Sequence, residues 1–466
     1  MERTTAILVA LCAYLLVLLG LAWFAKRRTH DAAEFYLGGR TLGPWVAALA
    51  ANASSSSAWS LLGVSGFAYR EGLAAVWLLP GCLGGFVINW FVVAPRLRTA
   101  TGDAVTLTEY LAGPVGARGR RAVVVTASLL TLASLATYVA AQMQAAGSAF
   151  THAFELQATP GIVIGAVITV LYTLLGGYLA VSITDTVQGL LMAGVAVLVP
   201  AAAVWHFGGV AEFAAALAAV EVPGYGDVCG ARAGFAAAGF ALGLLGIGLG
   251  YPGQPHAVNK FMGMAPGASM RTARAVGMTW AVLLYTGMIV VGWAVRAGFA
   301  LPEGHHEDAL YAASEALLPP LVDGLVLAAV LAATMSTVDS QLLVCASCVT
   351  HDLDVGGARG RIGIARAVVL TIGAIATGAA LLVPKNIFDN VLFAWAALGS
   401  AFGPLLLVRL LVGEVSPRWS LAAMLVGGGG AVLGFYWPVL GSGVADRVLS
   451  FFAALLVAWL GARRAT

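Results

Sequence analysis

Apolar positions along this chain come in long blocks, each close to the roughly 20 residues that a helix needs to cross a bilayer. They predict about thirteen transmembrane helices, at approximately 5–25, 45–69, 73–95, 122–150, 160–180, 184–206, 233–257, 275–298, 320–349, 364–383, 387–411, 420–438 and 444–462. Two blocks are interrupted. In the second, Ala51-Asn-Ala-Ser-Ser-Ser-Ser-Ala58 places four consecutive serines at the centre of the run. Serine has weak helix propensity and its hydroxyl competes for backbone groups, so the chain can leave the helix there. In the seventh, Gly248-Leu-Gly-Tyr-Pro-Gly-Gln-Pro-His256 sets two prolines and three glycines within nine residues, which cannot sustain a regular helix. Freed backbone groups are tolerated at membrane depth only where they are buried in protein or line a polar cavity. Paired discontinuous helices five spans apart therefore point to the central site of a secondary transporter.

Charge orients the pattern. Lys26, Arg27, Arg28 and Arg40 follow the first span, and Arg96, Arg98, Arg118, Arg120 and Arg121 the third. Lys260, Arg271 and Arg274 follow the seventh, Arg359, Arg361 and Arg366 the ninth, Arg418 the eleventh, and Arg463 with Arg464 close the chain. All fall on one side, which the positive-inside rule makes cytoplasmic, with the N-terminus outside and the C-terminus inside a plasma (inner) membrane. The opposite loops carry Glu303, Glu307, Asp308 and Asp446. Composition agrees: 60% of residues are hydrophobic and 10% charged, with mean hydropathy +0.90, where a soluble chain needs roughly 25% charged residues. The 58 glycines suit close helix packing in lipid. A net charge of +3 adds little.

The five cysteines form no disulfide framework, and Cys345 with Cys348 reads as a packing pair. The run 5–25 has no basic region before it and no cleavage site after it, so it is a retained span. Residues 1–466 are one transmembrane transporter domain, with 207–232 and 300–318 as external segments, the second partly helical. His305 and His306 read as a solvated loop pair.

On span nine, Ala333, Ser336, Thr337 and Ser340 follow i, i+3, i+4, i+7 spacing and share one helix face. Their hydroxyls and an accessible carbonyl can replace the water shell of a small hard cation, opposite the unpaired carbonyls of span two. Asp185 and Asp339 lie within predicted spans, where a central carboxylate costs about 2.5–3.5 kcal/mol and calls for a cationic partner or a proton. Asp185 falls close to the cytoplasmic end of span six, and Asp339 deeper, one turn beyond Ser336.

The segments Phe35-Tyr-Leu-Gly-Gly-Arg-Thr-Leu-Gly43, Tyr172-Thr-Leu-Leu-Gly-Gly-Tyr-Leu-Ala180, Val181-Ser-Ile-Thr-Asp-Thr-Val-Gln188, Gly250-Tyr-Pro-Gly-Gln-Pro-His256, Met335-Ser-Thr-Val-Asp-Ser-Gln-Leu-Leu343 and Ala401-Phe-Gly-Pro404 carry a specific likeness. Through them nearly the whole chain resembles the sodium/solute symporter family, and within it the sodium/proline symporters. The resemblance implies an all-α polytopic fold of the leucine-transporter type. Two inverted five-helix repeats (about 45–206 and 233–411) would have one extra helix before them and two after.

The resemblance also implies sites. A sodium ion would lie between the Ala53 and Ser56 carbonyls and Ala333, Ser336 and Thr337. A second cation site maps to Asp185, Asp339 and Ser340. Substrate positions map to Ser57, Ala58, Tyr138, Tyr251 and Pro255, with Gln142 one turn from Tyr138. Two departures stand out. The aspartate these symporters carry in the broken second span is Ser55 here, while Asp339 stands where they have a serine, so Asp339 is expected to take over that electrostatic role. The tryptophan often found four residues before the span-seven tyrosine is Ile247.

The expected function is sodium-coupled import of a small carboxylate-bearing solute, an amino acid such as proline, by alternating access. The partners are sodium, the solute and the lipid bilayer, and a monomer is the simplest assembly. A proton-coupled symporter using Asp339 and Asp185, or a transporter-like sensor, are the other classes. No nucleophile–base set, nucleotide motif or nucleic-acid surface is evident, so an enzyme is not expected.

Overall fold

A computed structural model describes residues 2–26, 38–100, 102, 104–175, 177–359, 361–437 and 443–462. Phe35 to Leu37, Gly176 and the basic residues Arg27, Arg28, Arg463 and Arg464, all used above, lie outside the described residues. Among the described residues the regular elements are helices, joined by two isolated bridges, Leu42 with Met264 and Val415 with Ala462.

In chain order the helices are α1 (Arg3–Lys26), α2 (Pro44–Ser55), α3 (Val64–Glu71), α4 (Leu78–Val87), α5 (Ala94–Ala100), α6 (Leu107–Ala112) and α7 (Arg120–Phe154). There follow α8 (Ala158–Leu175), α9 (Tyr178–His206), α10 (Val210–Ala218), α11 (Gly234–Leu245), α12 (Pro255–Met262), α13 (Met270–Gly298) and α14 (Ala309–Leu317). The chain closes with α15 (Pro320–Ser347), α16 (Ile362–Leu382), α17 (Ile387–Leu411), α18 (Pro417–Tyr436) and α19 (Ser450–Leu460). Ten helical segments among the described residues are long and apolar enough to cross a membrane. One of these, Trp59–Ala100, joins α3 to α5 and runs through Gly72, whose φ of 62° is a left-handed value that glycine adopts freely.

Burial separates the centre of the bundle from its rim. In the most apolar stretches of Pro320–Asp352 and Ile387–Leu411, 83% and 89% of residues are buried, against 33% for Arg3–Phe24 and 28% for Ile362–Leu382. A helix apolar all round and buried all round belongs in the core, and one apolar all round but half exposed faces lipid. Thus α15 and α17 are central, while α1 and α16 lie at the edge. Around the core, α2 packs against α9, α13, α12 and α15, and α17 packs against α7, α18 and the irregular segment before α12.

Both breaks are present, and the first is narrower than its serine content suggests. Ala51 to Ser55 stay helical within α2. The helix ends at Ser56 (φ −117°, ψ 81°), and the chain resumes at Ala58 through a widened turn, Trp59–Gly63. Consecutive serines lower helix propensity by a few tenths of a kcal/mol each, which packing of α2 on four neighbours overrides for all but two residues. In the second break, Gly246–Gly253 forms tight turns, Gln254 is extended, and Pro255 starts α12 as a first-turn proline without needing a donor. Close approach to α17 explains two of its glycines: a Cβ on Gly250 would sit 2.2 Å from Trp395 Nε1, and one on Gly253 2.6 Å from Gly399 Cα.

Candidate ion and solute site

The end of α2 meets the middle of α15. The Ser336 hydroxyl lies 3.2 Å from both the Ala53 and the Ala333 carbonyl oxygens. Its one proton can serve only one of them at a time. Thr337 Oγ1, on the adjoining position of α15, is fully buried and has no hydrogen-bond partner among the described residues. Ser56 turns its hydroxyl the other way, 3.4 Å from the Tyr285 hydroxyl. The junction thus brings together oxygens from Ala53, Ala333, Ser336 and Thr337; the Ala53 carbonyl also receives the Ser56 N–H at 3.3 Å, and Thr337 Oγ1 has no donor among the described residues. Buried polar groups are normally satisfied, and a cluster of carbonyl and hydroxyl oxygens of this kind has the chemistry to accept a hard cation.

One turn on, Asp185 of α9 is completely buried. Its Oδ2 accepts from Ser54 Oγ at 3.0 Å and Ser340 Oγ at 3.5 Å, and forms an ion pair with Lys260 Nζ at 2.9 Å. One sequence expectation changes here. Lys260 is not a loop residue: it is 1% exposed on α12, which carries span seven five residues beyond the predicted end at 257. Where the resemblance maps a second cation site, the cation on Asp185 is a lysine ammonium. Asp339 is also fully buried, but its hydrogen-bond donor is the Thr173 hydroxyl of α8, not a group of the broken span. Ser55 bonds back to its own helix, at the Asn52 carbonyl (3.1 Å), and no hydrogen bond joins it to Asp339 among the described residues.

On the other flank of the first break, four predicted substrate residues interlock. The Ala58 N–H donates to Gln142 Oε1 at 3.1 Å, and the Tyr138 hydroxyl to Ser57 Oγ at 3.1 Å. Ser57 Oγ also receives the Trp59 N–H at 3.2 Å, which leaves its own proton to give. Gln142 Nε2 and both ring nitrogens of buried His256, whose ring is 6.0 Å from that of Tyr138, have no partner among the described residues. Hydrogen donors therefore outnumber acceptors around Ser57. Tyr251 is placed differently: its hydroxyl meets that of Tyr285 at 2.8 Å and its ring lies 4.7 Å from Trp395. It reaches the break through Tyr285, which touches both Ser56 and Ser60. Trp395 in turn donates to the carbonyl of Ile247 at 3.1 Å, so an indole from α17 stands beside the position lacking a tryptophan. Pro255 contributes the start of α12, one residue before His256.

His256, Lys260, Ser54 and Tyr285 were not singled out from the sequence. For Lys260 and His256 a signal existed: Pro255 can begin a new helical segment, and i to i+4 spacing then sets His256 and Lys260 on one face.

Outside the spans, two acidic clusters tie the ends of the bundle. Glu307 accepts from the N–H groups of Ile387 (3.2 Å) and Phe388 (2.8 Å) at the start of α17, while burial pushes its carboxyl up from the usual range. Burial opposes ionisation of Asp308 as well, but His152, Lys385 (3.0 Å) and His305 (2.8 Å) hold it below the usual range. At the other end, Glu109 is lowered from 4.5 to about 2, chiefly by its hydrogen bond with His351, with help from the Val105 N–H and Arg120.

The profile of the Sodium:solute symporter family matches residues 35–427. The chain is 35% identical to the osmoregulated proline transporter OpuE of Bacillus subtilis (strain 168), over 98% of this chain and 96% of that one. It is 33% identical to the sodium/proline symporter of Escherichia coli (strain K12), over 92% and 87%. Among solved structures, a Na+-coupled sialic acid symporter in a substrate-bound, outward-open state superposes with a TM-score of 0.80 at 18% identity, covering 99% of each chain. At that identity the likeness carries the fold.

Proposed function

This chain belongs to the Sodium:solute symporter family, a family of secondary transporters and not of enzymes, and from that premise we propose that it couples sodium entry to import of a small zwitterionic solute of the proline type. The observation that carries the reading is the pair of polar sets at one break, each with buried atoms left without a partner among the described residues. Oxygens of Ala53, Ala333, Ser336 and Thr337 collect on one flank, and donors from Ser57, Gln142 and His256 on the other.

In this reading sodium is held by the carbonyls of Ala53, Ser56 and Ala333 and the hydroxyls of Ser336 and Thr337. The solute carboxylate is taken by Ser57, Gln142 and the backbone at Ala58. Tyr138, Tyr251 and Pro255 enclose its apolar body, with Trp395 behind Tyr251. Sodium bridges α2 to α15 and fixes the shape of the break, which raises affinity for the solute on the adjoining residues. Solute binding then permits occlusion and inward release by rocking of the two repeats. Thirteen spans with a five-plus-five inverted repeat over about 45–206 and 233–411 suit this cycle. So does a multi-pass plasma-membrane placement with the N-terminus outside, supported by the one-sided basic loops. Nothing in the cycle requires more than a monomer. One sodium with a neutral solute gains about 2.3 kcal/mol from 100 mV and about 1.4 kcal/mol from a tenfold gradient, enough for several-hundredfold accumulation.

The test is uptake of radiolabelled proline and other amino acids into proteoliposomes under separately imposed sodium and pH gradients. Accumulation driven by sodium alone is expected. Uptake driven by a pH gradient and indifferent to sodium would overturn the reading in favour of proton coupling.

A further inference from the structure

We infer that the Lys260 ammonium is a tethered substitute for a second coupling cation, so that each cycle carries one sodium ion. This rests on the sodium-coupled reading above and adds its stoichiometry.

The argument begins with the oxygens around Asp185. Its carboxylate, Ser54 Oγ, Ser340 Oγ and Ser182 Oγ come from three helices, α2, α9 and α15, and converge in a buried cluster. One carboxylate with several hydroxyls is a donor set that suits a monovalent cation. The cation in it belongs to the protein. Lys260 Nζ is 2.9 Å from Asp185 Oδ2 and 3.2 Å from Ser182 Oγ, and it lies 4.9 Å from the centre of the Tyr178 ring. An ammonium has three donors, and these contacts give each one a carboxylate, a hydroxyl or an aromatic face. The negative charge of Asp185 is thereby balanced. A sodium ion entering the same oxygens would place two positive charges against one carboxylate away from water, which desolvation and mutual repulsion both oppose.

Asp339 lies within electrostatic range of Asp185 and Lys260, but its carboxylate is held by another helix. It is adjacent in sequence to Ser340, and neighbours at i and i+1 on a helix point about 100° apart. Its carboxylate accepts from Thr173 on α8 instead.

The position of Lys260 in the chain gives the substitution a mechanical consequence. It lies on α12, five residues after Pro255 at the second break, while Ser54 is two residues before Ser56 at the first. A mobile ion there would bind and leave with each cycle. A lysine cannot leave, so it joins the two broken spans to α9 permanently and adds nothing to the driving force.

Stoichiometry is read from the substrate ratio at which net flux reverses, in proteoliposomes of the whole protein with the voltage clamped at zero and a tenfold sodium gradient. One sodium per solute reverses at about tenfold, and two at about a hundredfold. Wild type is expected at about tenfold. Lys260→Met, which leaves the same oxygens around an uncompensated carboxylate, is expected to move toward a hundredfold. The double variant Lys260→Met/Asp185→Asn is expected to return to tenfold. A wild-type reversal near a hundredfold overturns the inference while leaving sodium coupling intact, as does a transporting Lys260→Met that stays at tenfold. Absence of any sodium-dependent flux overturns the underlying reading and this inference with it.

Discussion

Thr337 offers a perturbation whose effects on stability and on function have opposite signs. Its hydroxyl is buried without a hydrogen-bond partner among the described residues, so Thr337→Val breaks no bond within the protein. An unsatisfied buried polar group costs about 1–3 kcal/mol, and replacing it by a methyl of the same shape relieves that cost. The sodium-free protein is therefore expected to melt at the same temperature as wild type or higher. Sodium affinity moves the other way. A contact from a hydroxyl to a charge is worth about 1.5–3 kcal/mol, which corresponds to roughly a tenfold to hundredfold rise in the sodium concentration for half-maximal uptake. The same loss is visible without transport. At sodium one hundred times the wild-type Kd, binding stabilises wild type by about 2.7 kcal/mol, and a tenfold weaker variant by about 1.4 kcal/mol. Thermal unfolding in detergent with and without sodium, beside the sodium dependence of solute uptake, gives both readings. A variant with wild-type half-saturation and an undiminished sodium-induced rise in Tm would refute the assignment of Thr337 to the ion.

Two further substitutions probe the solute side and the loop that closes one end. Gln142→Glu keeps the acceptor for the Ala58 N–H but replaces the free donor by a carboxylate oxygen, so solute KM is expected to rise about tenfold or more with sodium half-saturation unchanged; equal KM values in uptake kinetics would remove Gln142 from the site. Glu109 is lowered from 4.5 to about 2 by His351, Val105 and Arg120, so its ionised form favours the folded state. That contribution is complete above pH 4.5 and is lost as the pH falls toward about 2. Glu109→Gln should flatten this acid limb of a Tm-against-pH curve, and a variant curve parallel to wild type would show that the pairing adds no stability.

The sequence by itself determined the class of the protein, its all-helical membrane-spanning build and the location of its breaks. Those properties are local. Twenty apolar residues cannot be solvated by water, and proline, glycine and runs of serine act on the backbone where they stand. The hydroxyl face of α15 was equally legible, because 3.6-residue periodicity alone aligns Ala333, Ser336 and Thr337. Its meeting with Ala53 came from family likeness and not from spacing.

The tertiary structure decided how the charges were partnered. Lys260 reads as a cytoplasmic loop cation in a hydropathy profile, since nothing local separates a lysine that ends a helix in water from one that continues it into the core. Only the packing of α12 against α2, α5 and α15, with Asp185 across the gap, makes it an internal counter-ion. The same holds for Asp339, whose partner Thr173 lies 166 residues away, and for Tyr251, which faces Tyr285 instead of the serines. A buried charge is stable only against a specific neighbour, and which neighbour that is depends on contacts between helices far apart in the chain.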